Sequence, residues 1–267
     1  MIQRLVFLKL GGSLITVKDQ PHTPRLEVME RLALEIAQAM AQDPGLRLLL
    51  GHGSGSFGHA AANRHHTRQG VRTNQEWKGF YDVARQAAEL NQLVVDALEA
   101  AFIPFTVFPP FAYVIARDGK VAIWETDPLR TALGRGLVPL IYGDVAYDQV
   151  RGGTILSTED LFSYLAPQLH PDSLLFAGRD EGVFADYPTN LHLLKEITPT
   201  SFPDVEGGLK GSSAPDVTGG MLDKVRQLIR LVGENRALQG TIFSGETPGN
   251  VERALLGEQL GTVIHSD

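Results

Sequence analysis

Apolar residues recur along this chain in two rhythms. Runs of about five apolar positions alternate with longer stretches in which apolar residues return every three or four positions. The first rhythm suits strands buried on both faces, the second suits helices with one buried side. Leu5–Leu10, Leu46–Leu50, Ile103–Phe108, "GLVPLIYGD", "SLLFAG", Gly240–Ser244 and Thr262–His265 are the predicted strands. "LEVMERLALEIAQAMAQD", stopped by Pro44-Gly45, is a predicted helix, as are Glu76–Phe102, Leu222–Val232 and Asn250–Leu256. Such alternation predicts an α/β fold, with a largely parallel sheet covered by helices on both faces.

Two segments break the rhythm. Residues 109–125 read as a hairpin around Asp118-Gly119. Residues 203–216, "PDVEGGLKGSSAPD", read as a loop or lid. A division near residue 170 is expected, with one sheet running through both lobes, 1–170 and 171–267.

The length of 267 residues fits one large domain or two closely joined lobes. A net charge of −7 argues against a nucleic-acid partner, which normally meets a basic surface. The absence of cysteine removes disulfides, thiolate metal sites and cysteine nucleophiles, and agrees with a reducing cytoplasm. No apolar run is long enough to span a membrane.

Candidate chemistry gathers in glycine turns that follow predicted strands. "LLLGHGSGSFGH" contains Gly53-x-Gly55-x-x-Gly58, the spacing of a dinucleotide loop, with a helix start expected near Phe57. That reading needs an acidic residue at the end of the next strand, about 20 positions on. Here the region is "TNQEWKGFYD", the start of a helix, so Glu76 stands on the wrong kind of element. The strict phosphate-loop pattern ending in Gly-Lys-Ser/Thr is also absent. Glycine turns at helix starts also hold phosphates through backbone N–H groups. The N-terminal "LKLGGSLITVK" supplies a second such turn, on the same sheet edge. Two facing cradles suit a donor and an acceptor phosphate.

Three lysines accompany these turns. Lys9 ends an apolar strand, where an ammonium is costly unless it meets a counter-charge. Lys18 lies nine residues on, and Lys224 sits one helical turn beyond Gly219-Gly220. Phosphoryl transfer relies on such positioned positive charge. Asp144, Asp160 and Asp180 near strand ends suit either metal-bound water or ordinary caps and turns. His52 reads as structural, and His65-His66 as adjacent side chains pointing apart.

"KLGGSLITVK", "GHGSGSFGH", "STEDL" and "TGGMLDK", in this order, resemble the amino acid kinase superfamily, and within it the isopentenyl phosphate kinases. The resemblance covers essentially the whole chain. It implies an open three-layer αβα sandwich that forms a homodimer, with 1–170 binding the acceptor and 171–267 the nucleotide. It implies a cytoplasmic enzyme of isoprenoid biosynthesis that passes the γ-phosphate of ATP, with Mg²⁺, to isopentenyl phosphate. Carried across, Lys9, Gly11, Gly12 and Ser13 hold the ATP phosphates and Lys18 stabilises the transferring group. Ser54 and Gly55 offer backbone N–H groups, and His59 and Thr158 meet the acceptor phosphate. Asp180, Gly220 and Lys224 surround the nucleotide. No residue is assigned as a direct metal ligand. Phe80 and Ala84, with Ile141 and Ile155, are the expected walls for the acceptor's apolar tail.

Three positions depart from the resemblance. Ser54 replaces a glycine of the usual triplet, "STED" lacks a glycine, and "RDEGVFADYP" matches only loosely. The competing readings are a fosfomycin-type phosphonate kinase or another small-acid kinase, and a non-catalytic nucleotide- or anion-binding protein.

Overall fold

The computed structural model describes residues 4–209 and 220–267, without the side chains at positions 59, 60 and 63. The chain opens with β1 (Arg4–Leu10), α1 (Gly12–Ile15), α2 (Leu26–Gln42), β2 (Leu46–His52) and α3 (Gly55–His65). The long α4 (Asn74–Ala100), β3 (Phe105–Val107) and α5 (Pro110–Tyr113) follow. Next come β4 (Val114–Arg117), β5 (Lys120–Trp124), α6 (Asp127–Gly134), β6 (Val138–Tyr142), β7 (Asp144–Asp148) and β8 (Gly152–Leu156). The rest comprises α7 (Thr158–Leu169), β9 (Ser173–Gly178), β10 (Glu196–Ile197), α8 (Phe202–Val205), α9 (Gly220–Glu234), β11 (Gln239–Ser244), α10 (Asn250–Leu255) and β12 (Thr262–Ile264).

The main sheet has eight strands in the order β10-β12-β11-β9-β1-β2-β6-β3, parallel throughout except for the β11–β12 pair. The centre of the sheet is covered on both faces. Phe7 of β1 packs with Phe162 of α7 and Phe176 of β9. Its neighbours Val6 and Leu8 point the other way, against Leu32 and Ile36 of α2 and Leu90 of α4. Alternating side chains of one apolar strand thus feed two cores, which is the αβα arrangement. Each fully buried leucine or phenylalanine contributes about 1.5–3 kcal/mol.

A second sheet, β5-β4-β7-β8, was only half expected. Its β4–β5 hairpin turns at Asp118-Gly119 as predicted. Residues 110–113 of the expected hairpin are instead helical, because Pro110 lacks the N–H a ladder needs and suits a first helical turn. The β7–β8 hairpin follows directly from β6, through Gly143. Part of the predicted lid is also ordered differently. Residues 202–209 form α8 and a short 3-10 turn, while 210–219, including Gly219, lie outside the described residues.

Parallel order puts the C-terminal ends of β9, β1, β2 and β6 side by side. The turns after them begin at Gly178, Gly11, Gly53 and Gly143, so four glycine turns meet at one edge. No helix among the described residues is long and apolar enough to cross a membrane.

Candidate active site

The first two glycine turns pack directly on each other. A Cβ on Gly12 would stand 2.4 Å from the backbone nitrogen of Gly55, and one on Gly53 would stand 2.9 Å from that of Gly12. Gly55 also has φ +49, and a Cβ there would meet Thr16 Oγ1 at 2.3 Å. Glycine is therefore required by close approach as well as by conformation. Thr16 clips the turns together. Its hydroxyl donates to Gly12 O at 2.7 Å and accepts from Ser56 N at 3.0 Å.

Lys9 lies beneath this junction. The ammonium bonds Glu159 in the first turn of α7, and both side chains are less than a tenth exposed. It also lies 5.9 Å from the centre of the Phe176 ring. Burial alone would raise the Glu159 pKa, but the charges of Lys9 and then Lys224, with the Lys9 hydrogen bond, hold the carboxyl below its ordinary value. The β1 register places Lys9 beside Gly51, and a Cβ there would meet Thr158 Cγ2 at 2.5 Å and Phe162 at 3.0 Å. The small neighbour lets α7 come close enough for Glu159 to reach the lysine.

A cleft of about 1310 Å³, open solvent at its mouth included, runs over the four turns. Of the predicted residues, Lys9, Gly11, Gly12, Ser13, Lys18, Ser54, Gly55, Thr158, Asp180 and Lys224 line it. Ser54 has φ −77, so it occupies the triplet's middle position without backbone strain. Thr158 is committed by its hydroxyl, which donates to His52 O at 2.6 Å. The side chain of His59 lies outside the described residues; its backbone is in the first half of α3.

Some predictions are displaced. Gly220 opens α9 with φ +69 but does not line the cleft, whereas Met221 and Lys224 do. Phe80 and Ala84 are absent from its walls. Phe80 turns instead into an aromatic cluster with Trp77, Phe111 and Tyr147. Val83 and Ala87 of the same helix, with Ala62 and Ile155, form the apolar wall. The lining pair keeps the i, i+4 spacing but stands three residues further along the helix. Ile141 is wholly buried in the core. Asp160 is a helix cap: it accepts from Ser157 N at 2.8 Å and from the Ser157 hydroxyl at 2.7 Å. Asp144 lines the cleft but is 3% exposed. Burial, outweighing its bonds from Val145 N and Phe111 N, pushes its pKa up to about 7.

The histidines divide as their chemistry suggests. His52 is fully buried, stacks on Tyr142 and lies 3.2 Å from Asn91 Oδ1. Burial is the main cause holding its pKa below the ordinary value. His65 packs on Gly79 of α4 while His66 is exposed, so the adjacent pair points apart. Among the described residues no group of three or more His, Asp or Glu is arranged to hold a metal.

The cleft therefore joins cation-lined backbone cradles to an apolar wall. The sequence model of the amino acid kinase family matches residues 4–244. The chain belongs to the amino acid kinase family. The isopentenyl phosphate kinase of Methanocaldococcus jannaschii is 34% identical over 97% of this chain and 98% of its own length. That of Haloferax volcanii is 35% identical over 98% and 99%. A crystal structure of isopentenyl phosphate kinase superposes with a TM-score of 0.82 at 30% identity, covering 98% of this chain and all of that one.

Within this amino acid kinase, sequence reasoning missed Glu159 and Thr16. A signal for the first existed: a lysine in an apolar strand requires a counter-charge. Nothing local identified which acid. Thr16 carried no signal, because its role depends on a turn 40 residues away.

Proposed function

We propose that the protein is an isopentenyl phosphate kinase, transferring the γ-phosphate of ATP directly to isopentenyl phosphate to give isopentenyl diphosphate and ADP. The observation that carries this reading is the joint between the two glycine turns in a cleft lined both by lysines and by Val83, Ala87, Ala62 and Ile155. A charged head and an apolar tail are the chemistry such a cleft accepts. The named relatives over the full chain support the same acceptor.

In this reading the lobe 171–267 holds the nucleotide and 1–170 the acceptor. Gly11, Gly12 and Ser13 offer backbone N–H groups to the ATP phosphates. Lys9, held by Glu159, and Lys224 place positive charge beside them, and Lys18 enters from the exposed mouth. Ser54, Gly55 and His59 receive the acceptor phosphate, with Thr158 fixing the wall behind it. An acceptor phosphate is already ionised near neutral pH, so the chain need supply no general base. Its work is alignment and neutralisation of charge. Mg²⁺ fits as a cation held mainly by nucleotide phosphates and water, neutralising charge there, with exposed Asp180 as the carboxylate at the nucleotide end. A homodimer and a cytoplasmic place in isoprenoid biosynthesis belong to the same reading.

The test is ADP release against a panel of acceptors. Turnover with isopentenyl phosphate, and little with fosfomycin or carbamate, is expected. Turnover with fosfomycin or carbamate alone would reject the proposal, and none with any acceptor would favour a binding protein. His59→Ala should lower kcat/KM for the acceptor by about a hundredfold or more while ATP affinity changes about twofold at most. Equal losses in both would remove His59 from the acceptor site.

A further inference from the structure

Arg179 has no part in the reading above. It follows the last residue of β9, next to the first glycine turn. A Cβ on Gly11 would lie 3.1 Å from Ala177 O and 3.6 Å from Gly178 Cα. Its backbone is fixed: Gly178 O accepts from Gly245 N at 2.8 Å, and Arg179 O accepts from the Ser244 hydroxyl at 3.2 Å. The residue lines the cleft, and its side chain is 56% exposed.

Among the described residues one bond holds that side chain, from Nε to Glu246 Oε1 at 3.2 Å. Glu246 does not depend on it. Arg25 Nη1 and Nη2 grip the same carboxylate at 2.6 and 3.0 Å, and Arg25 Nη1 also donates to Leu14 O at 2.9 Å. Glu246 is thus satisfied by an arginine anchored in the body of the fold. The two terminal nitrogens of Arg179 have no partner among the described residues. Lys9, by contrast, is already committed to Glu159. A rigid backbone carrying a loosely held guanidinium fork beside a phosphate cradle is suited to bidentate recognition of phosphate oxygens.

We propose that Arg179 binds the phosphate chain of the nucleotide, exchanging its bond to Glu246 for a two-pronged contact. The proposal rests on the kinase reading. Arg25 keeps Glu246 paired in both states, so the exchange leaves this half-buried carboxylate with a partner.

Titration calorimetry of the full chain with ADP and with adenosine, in the absence of acceptor, tests it. Arg179→Ala should weaken ADP binding about tenfold, leave adenosine within about twofold, and keep the melting temperature of the unliganded protein. Arg179→Lys should fall between the two, since it restores charge without the fork. Equal ADP affinity in Arg179→Ala and wild type would overturn the proposal and leave the kinase reading intact. Equal losses for ADP and adenosine would overturn it as well, placing the contact on the nucleoside. A wild-type protein that binds neither would overturn the kinase reading, and this assignment with it.

Discussion

Lys9 and Glu159 are each too deeply buried to carry charge cheaply without the other. Removing one partner of such a pair leaves an uncompensated charge, at about 3–5 kcal/mol. Lys9→Met should therefore destabilise the fold by that amount in denaturant unfolding. Adding Glu159→Gln should recover most of the stability and none of the turnover. Recovery of both would show the pair to be structural only. Asp144 is the opposite case, a buried carboxyl whose only bonds among the described residues come from two backbone N–H groups. Its folded pKa, about 7, stands well above the ordinary value of an aspartate. The unfolded chain therefore gives up this proton first as pH rises, and the folded state loses relative stability between about pH 4 and 7, by up to about 4 kcal/mol. Asp144→Asn should lack that slope. Unfolding free energies of the two proteins across this range should converge at acid pH and separate by pH 7; parallel curves would refute the assignment.

At the scale of elements, the glycine turns explain two features that looked separate in the sequence. The Gly-x-Gly-x-x-Gly spacing is not there for a dinucleotide. Gly53 and Gly55 are small because another turn occupies the space of their side chains, and Gly58 because Ser54 does, with a Cβ there only 2.6 Å from it. Gly55→Ala should cost about 1–3 kcal/mol through its positive φ and lower turnover steeply by prising apart the two turns. Full activity at an unchanged melting temperature would contradict the packing. Glu76, the acid on the wrong kind of element for a ribose contact, proves to be a cap. It accepts from Thr73 N and Arg72 N at 2.7 Å each, closing a capping box at the start of α4. Strands and helices with strong periodicity were legible because burial on one side or two leaves its mark every few residues. The second sheet was less so. Its strands are short, and their pairing joins residues whose sequence separation carries no periodic trace.

For the whole molecule, eight strands in one sheet draw the two halves of the chain together, since β1 pairs with β9 on one side and β2 on the other. The homodimer that accompanies the proposed function has a direct check. Light scattering at micromolar concentration should return about twice the chain mass of 29.1 kDa; the monomer mass would remove it.

Periodicity, glycine placement and a lysine stranded among apolar residues were enough to establish the α/β class, the sheet edge at which the glycine turns gather and the need of Lys9 for a counter-charge. These are requirements of burial and backbone conformation, which each residue must meet wherever its partners lie. That this counter-charge is Glu159, 150 positions along the chain, came from strand order. So did the meeting of two turns at a glycine-to-glycine contact, and the choice of Val83 and Ala87 over Phe80 and Ala84 on the apolar wall. Those depend on how elements distant in sequence rotate and pack against one another, and side-chain fit across such an interface leaves no mark within either segment alone.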